Sequence, residues 1–177
     1  MEYLQNMQIV LNNTKKVFRP PPDLKISEWA DSHRRLSPEN SAEAGQWNTT
    51  RAEYQREIMD TFNDPDIQRI VVMTSSQVGK TELVLNAIAY YMDQDPSPLL
   101  VVQPTLAMAQ SFSKDRLAAM IRDSKKIKDL VVEAKSRDSG NTVLHKKFPG
   151  GHLSLVGSNS AAGLASRPIR VLLLDEV

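Results

Sequence analysis

Two short stretches of the sequence carry residues that could do chemistry together. The first is Thr74-Ser75-Ser76-Gln77-Val78-Gly79-Lys80-Thr81, set between the apolar run Ile70-Val71-Val72-Met73 and the helix-forming Glu82-Leu83-Val84-Leu85-Asn86-Ala87. A phosphate-binding loop of the Walker A kind needs these parts: a β-branched strand, a turn whose backbone N–H groups curl round an anion, and a helix whose positive end faces it. Lys80 would reach the β/γ-phosphates of ATP, and Thr81 would offer its hydroxyl to Mg²⁺. Gly79 would let the backbone approach the anion without a Cβ in the way. Ser75, Ser76, Gln77 and Val78 would complete the cradle, and Glu82, in the helix behind it, would join the nucleotide-binding residues. Thr74 stands where such loops usually begin with glycine; a β-branched residue is poor at φ > 0, so the loop must enter its turn differently.

The second stretch is Val171-Leu172-Leu173-Leu174-Asp175-Glu176. Its four apolar residues bury a strand and its end delivers two acids, as in a Walker B motif. Asp175 would hold Mg²⁺ opposite Thr81, directly or through water, and Glu176 would orient and deprotonate a water beside the γ-phosphate. Alone, each stretch has an ordinary reading, a strand-to-helix turn and an exposed turn after a strand. Together, with strand, helix and hairpin signals between them, they point to an ATP hydrolase in which Lys80 and Glu176 are the catalytic residues.

The elements that must position these groups follow from the rest of the chain. Its 177 residues are 41% apolar and 24% charged, which suits one core of ordinary size. A net charge of +1 announces no polyanion partner globally, so any DNA-binding face would be a local patch. No Cys is present, which excludes disulfides and Cys-based zinc sites, and the three His residues show no ligand spacing. The first residues are not a signal peptide and no apolar run approaches membrane-spanning length, so a soluble intracellular protein is expected.

Residues 1–25 read as an arm or linker, with Lys15-Lys16 and the extended Pro20-Pro21-Pro22. Residues 26–66 read as a small helical segment: a helix from Ile26 capped at Ser27, a loop closed by Trp47, and a helix whose core stripe is Tyr54, Ile58, Met59 and Phe62. Residues 67–177 read as the core. Ile70–Met73 is an expected strand, the helix from Thr81 to about Met92 is apolar on nearly every side, and Leu99-Leu100-Val101-Val102 is a strand covered on both faces. A helix with Phe112, Leu117, Met120 and Ile121 on one side follows. Lys125, Lys126 and Lys128 then either track a DNA backbone or complement a helix end. Residues 142–148 and 152–156 flank Pro149-Gly150-Gly151 as a hairpin, and 158–167 is a small polar loop. The uninterrupted apolar strand at 171–174 calls for cover on both faces and pairing on both edges.

From about Ile26 onward the sequence resembles the ATPase domain of the large terminase subunit of tailed bacteriophages, the GpA-type branch. The residues that carry the likeness are Trp29-Ala30-Asp31 with Arg35-Leu36-Ser37; Gln46-Trp47, Arg51 and Tyr54 through Met59; Ser75 through Glu82; Val102-Gln103-Pro104-Thr105; and Gly157 through Ser160, Leu164 and Ser166-Arg167-Pro168, running to Leu174-Asp175-Glu176. The resemblance accounts for Thr74, because such loops often lack the first glycine. It implies that Tyr54 and Gln55 lie near adenine, and an aromatic ring and an amide suit a purine chemically. It implies a P-loop NTPase fold of the additional-strand, RecA-like kind: α/β, with a mostly parallel sheet flanked by helices in which the strands at Ile70 and Val171 are neighbours. That fold is incomplete at the C-terminus, since the family's later strands, coupling motif and nuclease domain are missing from a sequence that stops at Val177. It further implies an ATP-driven motor of double-stranded DNA packaging in the host cell cytoplasm, working as a homo-oligomeric ring with a portal protein and a small terminase subunit. Arg116, Arg122 and Arg167 are its candidate arginine fingers. A helicase-like remodelling ATPase and an inactive fragment that only binds nucleotide or partners are the alternatives.

Overall fold

A computed structural model describes residues 23–131, 140–165 and 167–176, together with Met7; the expected arm with Lys15-Lys16 and Pro20–Pro22, and also Ser166 and Val177, lie outside the described residues. In chain order the elements are α1 (Ile26–His33), β1 (Arg35–Leu36), β2 (Gly45–Gln46), a 3₁₀ turn (Thr49–Ala52), α2 (Tyr54–Thr61), α3 (Lys80–Asp93), β3 (Pro98–Gln103), α4 (Leu106–Ser111), a π-helical turn (Phe112–Leu117), α5 (Ala118–Asp123), α6 (Lys125–Leu130), β4 (His145–Phe148), β5 (Gly151–Gly157), α7 (Ala161–Leu164) and β6 (Val171–Leu174).

The main sheet has the order β4-β5-β3-β6. Strand β3 runs parallel to both β5 and β6, whereas β4 joins β5 antiparallel through the expected hairpin, so the sheet is mixed. Gly150 is left-handed in that hairpin turn, at φ +82°, a conformation that glycine adopts without strain. As the continuous apolar run requires, Leu99, Leu100, Val101 and Val102 of the central strand are all buried. One sheet face, with Leu99, Val101, Leu153, Leu155 and Leu173, forms a single cluster with Leu85, Ile88 and Met92 of α3. Each such side chain contributes about 1.5–3 kcal/mol by leaving water, and α3 is buried over nearly its whole circumference. The other face is a smaller cluster of Leu100, Val102 and Val156, with Ile169 packed against it. There β6 is only half covered: Leu173 is buried, but Leu172 and Leu174, in register with Leu100 and Val102, are 53% and 59% exposed.

The cover and pairing expected on both sides of 171–174 are therefore not met among the described residues, and three further expectations fail. Residues 70–73 form no strand and do not neighbour β6; Val71 and Met73 are 74% and 91% exposed. β-Branched composition records that a segment fits a sheet, but the ladder bonds depend on an edge supplied from elsewhere, and among the described residues β6 pairs with β3 alone. The cap of α1 is Lys25 rather than Ser27. Its first N–H groups are satisfied from a distance, Ile26 N donating to Asn63 Oδ1 (2.9 Å) and Ser27 N to Asp60 Oδ1 (3.1 Å). Tyr54 does not belong to the buried stripe of α2, whose fully buried residues are Gln55 and Met59.

Two polar contacts fix α1 to α3. The buried Trp29 donates its indole N–H to Asp93 Oδ2 (2.8 Å), and Lys126 Nζ lies 3.5 Å from the same oxygen. Burial pushes the Asp93 carboxyl up, but the hydrogen bonds from Trp29 and Gln94 and the charge of Lys126 outweigh it and hold the group below its usual value. Arg34, buried at the end of α1, places Nη2 2.7 Å from Glu82 Oε2 in the first turn of α3 and donates through Nη1 to the carbonyl of Arg35.

Because the folded-state pKa of Asp93 is depressed, its contribution to stability is full above the ordinary carboxylate range, near pH 4, and is lost as pH falls through the folded value. Chemical denaturation of Asp93→Asn across pH 3–7 should show a flatter acid limb than the unmodified protein. Glu82→Ala should lower stability by about 3–5 kcal/mol, since it strands a buried guanidinium, and Arg34→Met combined with Glu82→Leu should recover most of that loss. Denaturation midpoints of the single and double variants check this.

Candidate functional site

The loop before α3 turns through two left-handed residues, Gln77 at φ 60° and Gly79 at φ +81°. Thr74 is not left-handed, which is how the loop dispenses with a leading glycine. A turn in which left-handed residues alternate with others exposes successive backbone N–H groups to one concavity, the geometry that suits an anion. The carbonyl of Gly79 accepts from Glu82 N (3.0 Å) and Leu83 N (3.2 Å), which starts α3 directly behind the loop. A Cβ at position 79 would stand 2.7 Å from Gln55 Nε2 and push that amide aside, and the left-handed φ favours glycine there.

Helix α2 supports the loop from below. Tyr54 donates its hydroxyl proton to the carbonyl of Val78 (2.8 Å), and Gln55 donates Nε2–H to the same oxygen (2.9 Å). The Tyr54 side of this pair is open to solvent, with the residue 57% exposed, whereas Gln55 is 2% exposed and its Oε1 has no partner. Both residues expected near adenine therefore stand at the loop, tied to its backbone.

The acids arrive from β6. The register of β3 and β6 sets Val102 beside Leu174, and Asp175 N donates to the carbonyl of Val102 (3.1 Å). Glu176, itself left-handed at φ 56°, brings Oε1 to 3.1 Å from Lys80 Nζ. The ends of the two motifs thus meet although most of the core separates them in sequence. Glu82 is turned away from this meeting point onto Arg34. Ser75, Ser76 and Gln77 are exposed along the loop, and Thr81 follows Lys80 in the first turn of α3.

One residue here was absent from the sequence-based site. Gln103, 4% exposed at the end of β3, donates Nε2–H to Asp175 Oδ2 (2.9 Å). Its position was readable in principle, because ligands lie at the carboxyl ends of parallel strands and Gln103 closes the central one. Nothing in the sequence named its partner.

Of the arginine-finger candidates, Arg122 is paired with Glu39 (3.2 Å) and Asp123 (2.8 Å), and Arg116 donates to the carbonyl of Asn40 (3.1 Å). Arg167 is exposed. Lys125 and Lys128 are exposed on α6, while Lys126 faces Asp93. Among the described residues no group of three His, Cys, Asp or Glu could hold a metal ion, and no helix is long and apolar enough to cross a membrane.

Comparison with known proteins bears directly on this geometry. The profile of the phage terminase large subunit gpA ATPase domain matches residues 41–177, well over half of the chain and both motifs. The chain is 27% identical over 164 residues to the large terminase subunit of Escherichia phage lambda, covering 92% of this chain and 25% of that protein. With the large terminase subunit of Enterobacteria phage P21 it shares 27% over 158 residues, 89% of this chain and 24% of the relative. It therefore spans about a quarter of the length of these relatives. No solved structure matches. The meeting of loop and acids lies within the matched region, and the chain belongs to the family of phage terminase large subunit gpA ATPase domains.

Proposed function

We propose that this chain is the ATP-hydrolysing part of a viral DNA-packaging motor, with the nucleotide between the loop Ser75–Thr81 and the acids Asp175–Glu176. The observation that carries the reading is the 3.1 Å approach of Lys80 Nζ to Glu176 Oε1. Apart from the nucleotide, a lysine and a glutamate at this spacing neutralise one another. When a triphosphate binds, Lys80 turns to the β/γ-phosphates, and Glu176 is released to accept the proton of the attacking water. Tyr54 and Gln55 hold the Val78 carbonyl so that the loop keeps its anion-binding curve, and the exposed Tyr54 ring offers a face on which adenine can stack.

The donor set fits Mg²⁺. That ion prefers oxygen ligands, keeps several waters, and is usually held by one or two carboxylates together with substrate phosphates rather than by an all-protein cage. The Asp175 carboxylate and the Thr81 hydroxyl are such donors. Bound there, the ion would neutralise charge on the phosphoryl oxygens.

The likeness to the lambda and P21 large subunits supports the wider reading: double-stranded DNA as the substrate moved, a portal protein and a small terminase subunit as partners, a homo-oligomeric ring, and action in the host cell cytoplasm. Arg167, exposed in the loop that follows α7, stands with Arg116 and Arg122 as a candidate to serve a neighbouring subunit.

In the complete protein, Lys80→Ala should abolish detectable ATP binding by calorimetry. Glu176→Gln should bind ATP normally while single-turnover hydrolysis falls about 10²-fold or more, because the amide keeps the shape but cannot accept the proton. Unchanged ATP affinity in the first variant, or near-normal chemistry in the second, would move the site elsewhere.

A further inference from the structure

The end of β3 is bonded to both of its neighbours through one residue. The main-chain carbonyl of Gln103 accepts from Ser158 N (2.8 Å) just beyond β5, and its side-chain amide donates to Asp175 Oδ2 (2.9 Å) just beyond β6. Ser158 closes the other side by donating its hydroxyl to the carbonyl of Pro104 (2.8 Å). Beside it the space is tight, since a Cβ on Gly157 would collide with the backbone of Thr105 and Leu106. The Gln103 main chain is therefore tied to the end of β5, and Asp175 meets a donor on a side chain that is buried at the end of the central strand.

A lone carboxylate at a strand end can rotate about χ1 and χ2, and rotation scatters its oxygens over several positions. A fixed N–H on one oxygen removes that freedom and leaves the lone pairs of the other aimed in one direction. Glutamine is suited to this task because an amide donates without adding charge, so it orients the carboxylate and does not neutralise it as lysine or arginine would.

We propose that Gln103 is a positioning residue for divalent-cation binding: its amide fixes the Asp175 carboxylate in the orientation that receives the metal ion of the nucleotide complex. The inference rests on Asp175 being a metal ligand. Partners that orient a ligating carboxylate typically contribute 10–100-fold to metal affinity, even though they never touch the ion.

The test uses the complete protein saturated with ADP and Mn²⁺ as the probe, with free Mn²⁺ read by electron paramagnetic resonance. Gln103→Met keeps the length and burial of the side chain and removes the donor; Gln103→Leu is the second variant should the first fold poorly. The expected result is Mn²⁺ affinity lowered about 10-fold or more, with ADP affinity in EDTA and the thermal midpoint little changed. Asp175→Asn is run in parallel. Weakened Mn²⁺ binding in Asp175→Asn with unchanged binding in both Gln103 variants would overturn the positioning role and leave the hydrogen bond as a cross-link between strands. Unchanged Mn²⁺ binding in Asp175→Asn would overturn the metal-ligand reading of Asp175, and the role of Gln103 with it.

Discussion

The parallel pairing of β3 with β6 is the constraint on which the site depends. A parallel ladder sends both strands out of the sheet at the same end, so the residues that follow Val102 and Leu174 emerge side by side. That single register places Gln103 against Asp175 and carries Glu176 to Lys80. A slip by one residue would turn Leu173 out of the core and Leu172 and Leu174 into it, and would move both acids by a strand step. The burial of Leu173 between the sheet and α3 fixes the register energetically, and the site inherits that precision.

The second support is the helical segment ahead of the loop. Trp29, Arg34, Tyr54 and Gln55 each reach across to α3 or to the loop before it, through Asp93, Glu82 and the Val78 carbonyl. Arg34, Tyr54 and Gln55 hold the start of α3 and the turn in front of it in one position, and Trp29 ties down the far end of the helix at Asp93. An anion-binding loop gains from such pre-organisation, because backbone N–H groups that already face the phosphate need not reorganise when it arrives. The left-handed Gln77 and Gly79 are the local form of the same arrangement.

Local pattern made part of this legible in the sequence. The all-round apolar character of 81–92, the unbroken run 99–102 and the Pro-Gly-Gly hairpin are properties of neighbouring residues, and α3, β3 and the β4–β5 hairpin follow them. What escaped was decided by distant partners. Ile70–Met73 has strand composition but no ladder among the described residues. Ser27 has the chemistry of a cap, yet Asp60 and Asn63 satisfy the amides of α1. Tyr54 and Gln55 were grouped by the likeness to the terminase family, and only the fold distinguishes an exposed ring from a buried amide that share one carbonyl. Glu82 follows the loop in sequence but belongs, through Arg34, to the packing of the helices. Gln103 is placed by the end of its strand, but its role exists only once Asp175 lies beside it.

The central claim is that loop and acids form one nucleotide site in which Lys80 exchanges Glu176 for phosphate. The most direct measurement is the structure of the complete protein with a non-hydrolysable ATP analogue and Mg²⁺. The account predicts the triphosphate between Ser75–Thr81 and Asp175–Glu176, with Lys80 Nζ on a β- or γ-phosphate oxygen and no longer at the 3.1 Å seen here from Glu176 Oε1. A triphosphate bound elsewhere, or bound with the Lys80–Glu176 pair intact, would contradict it.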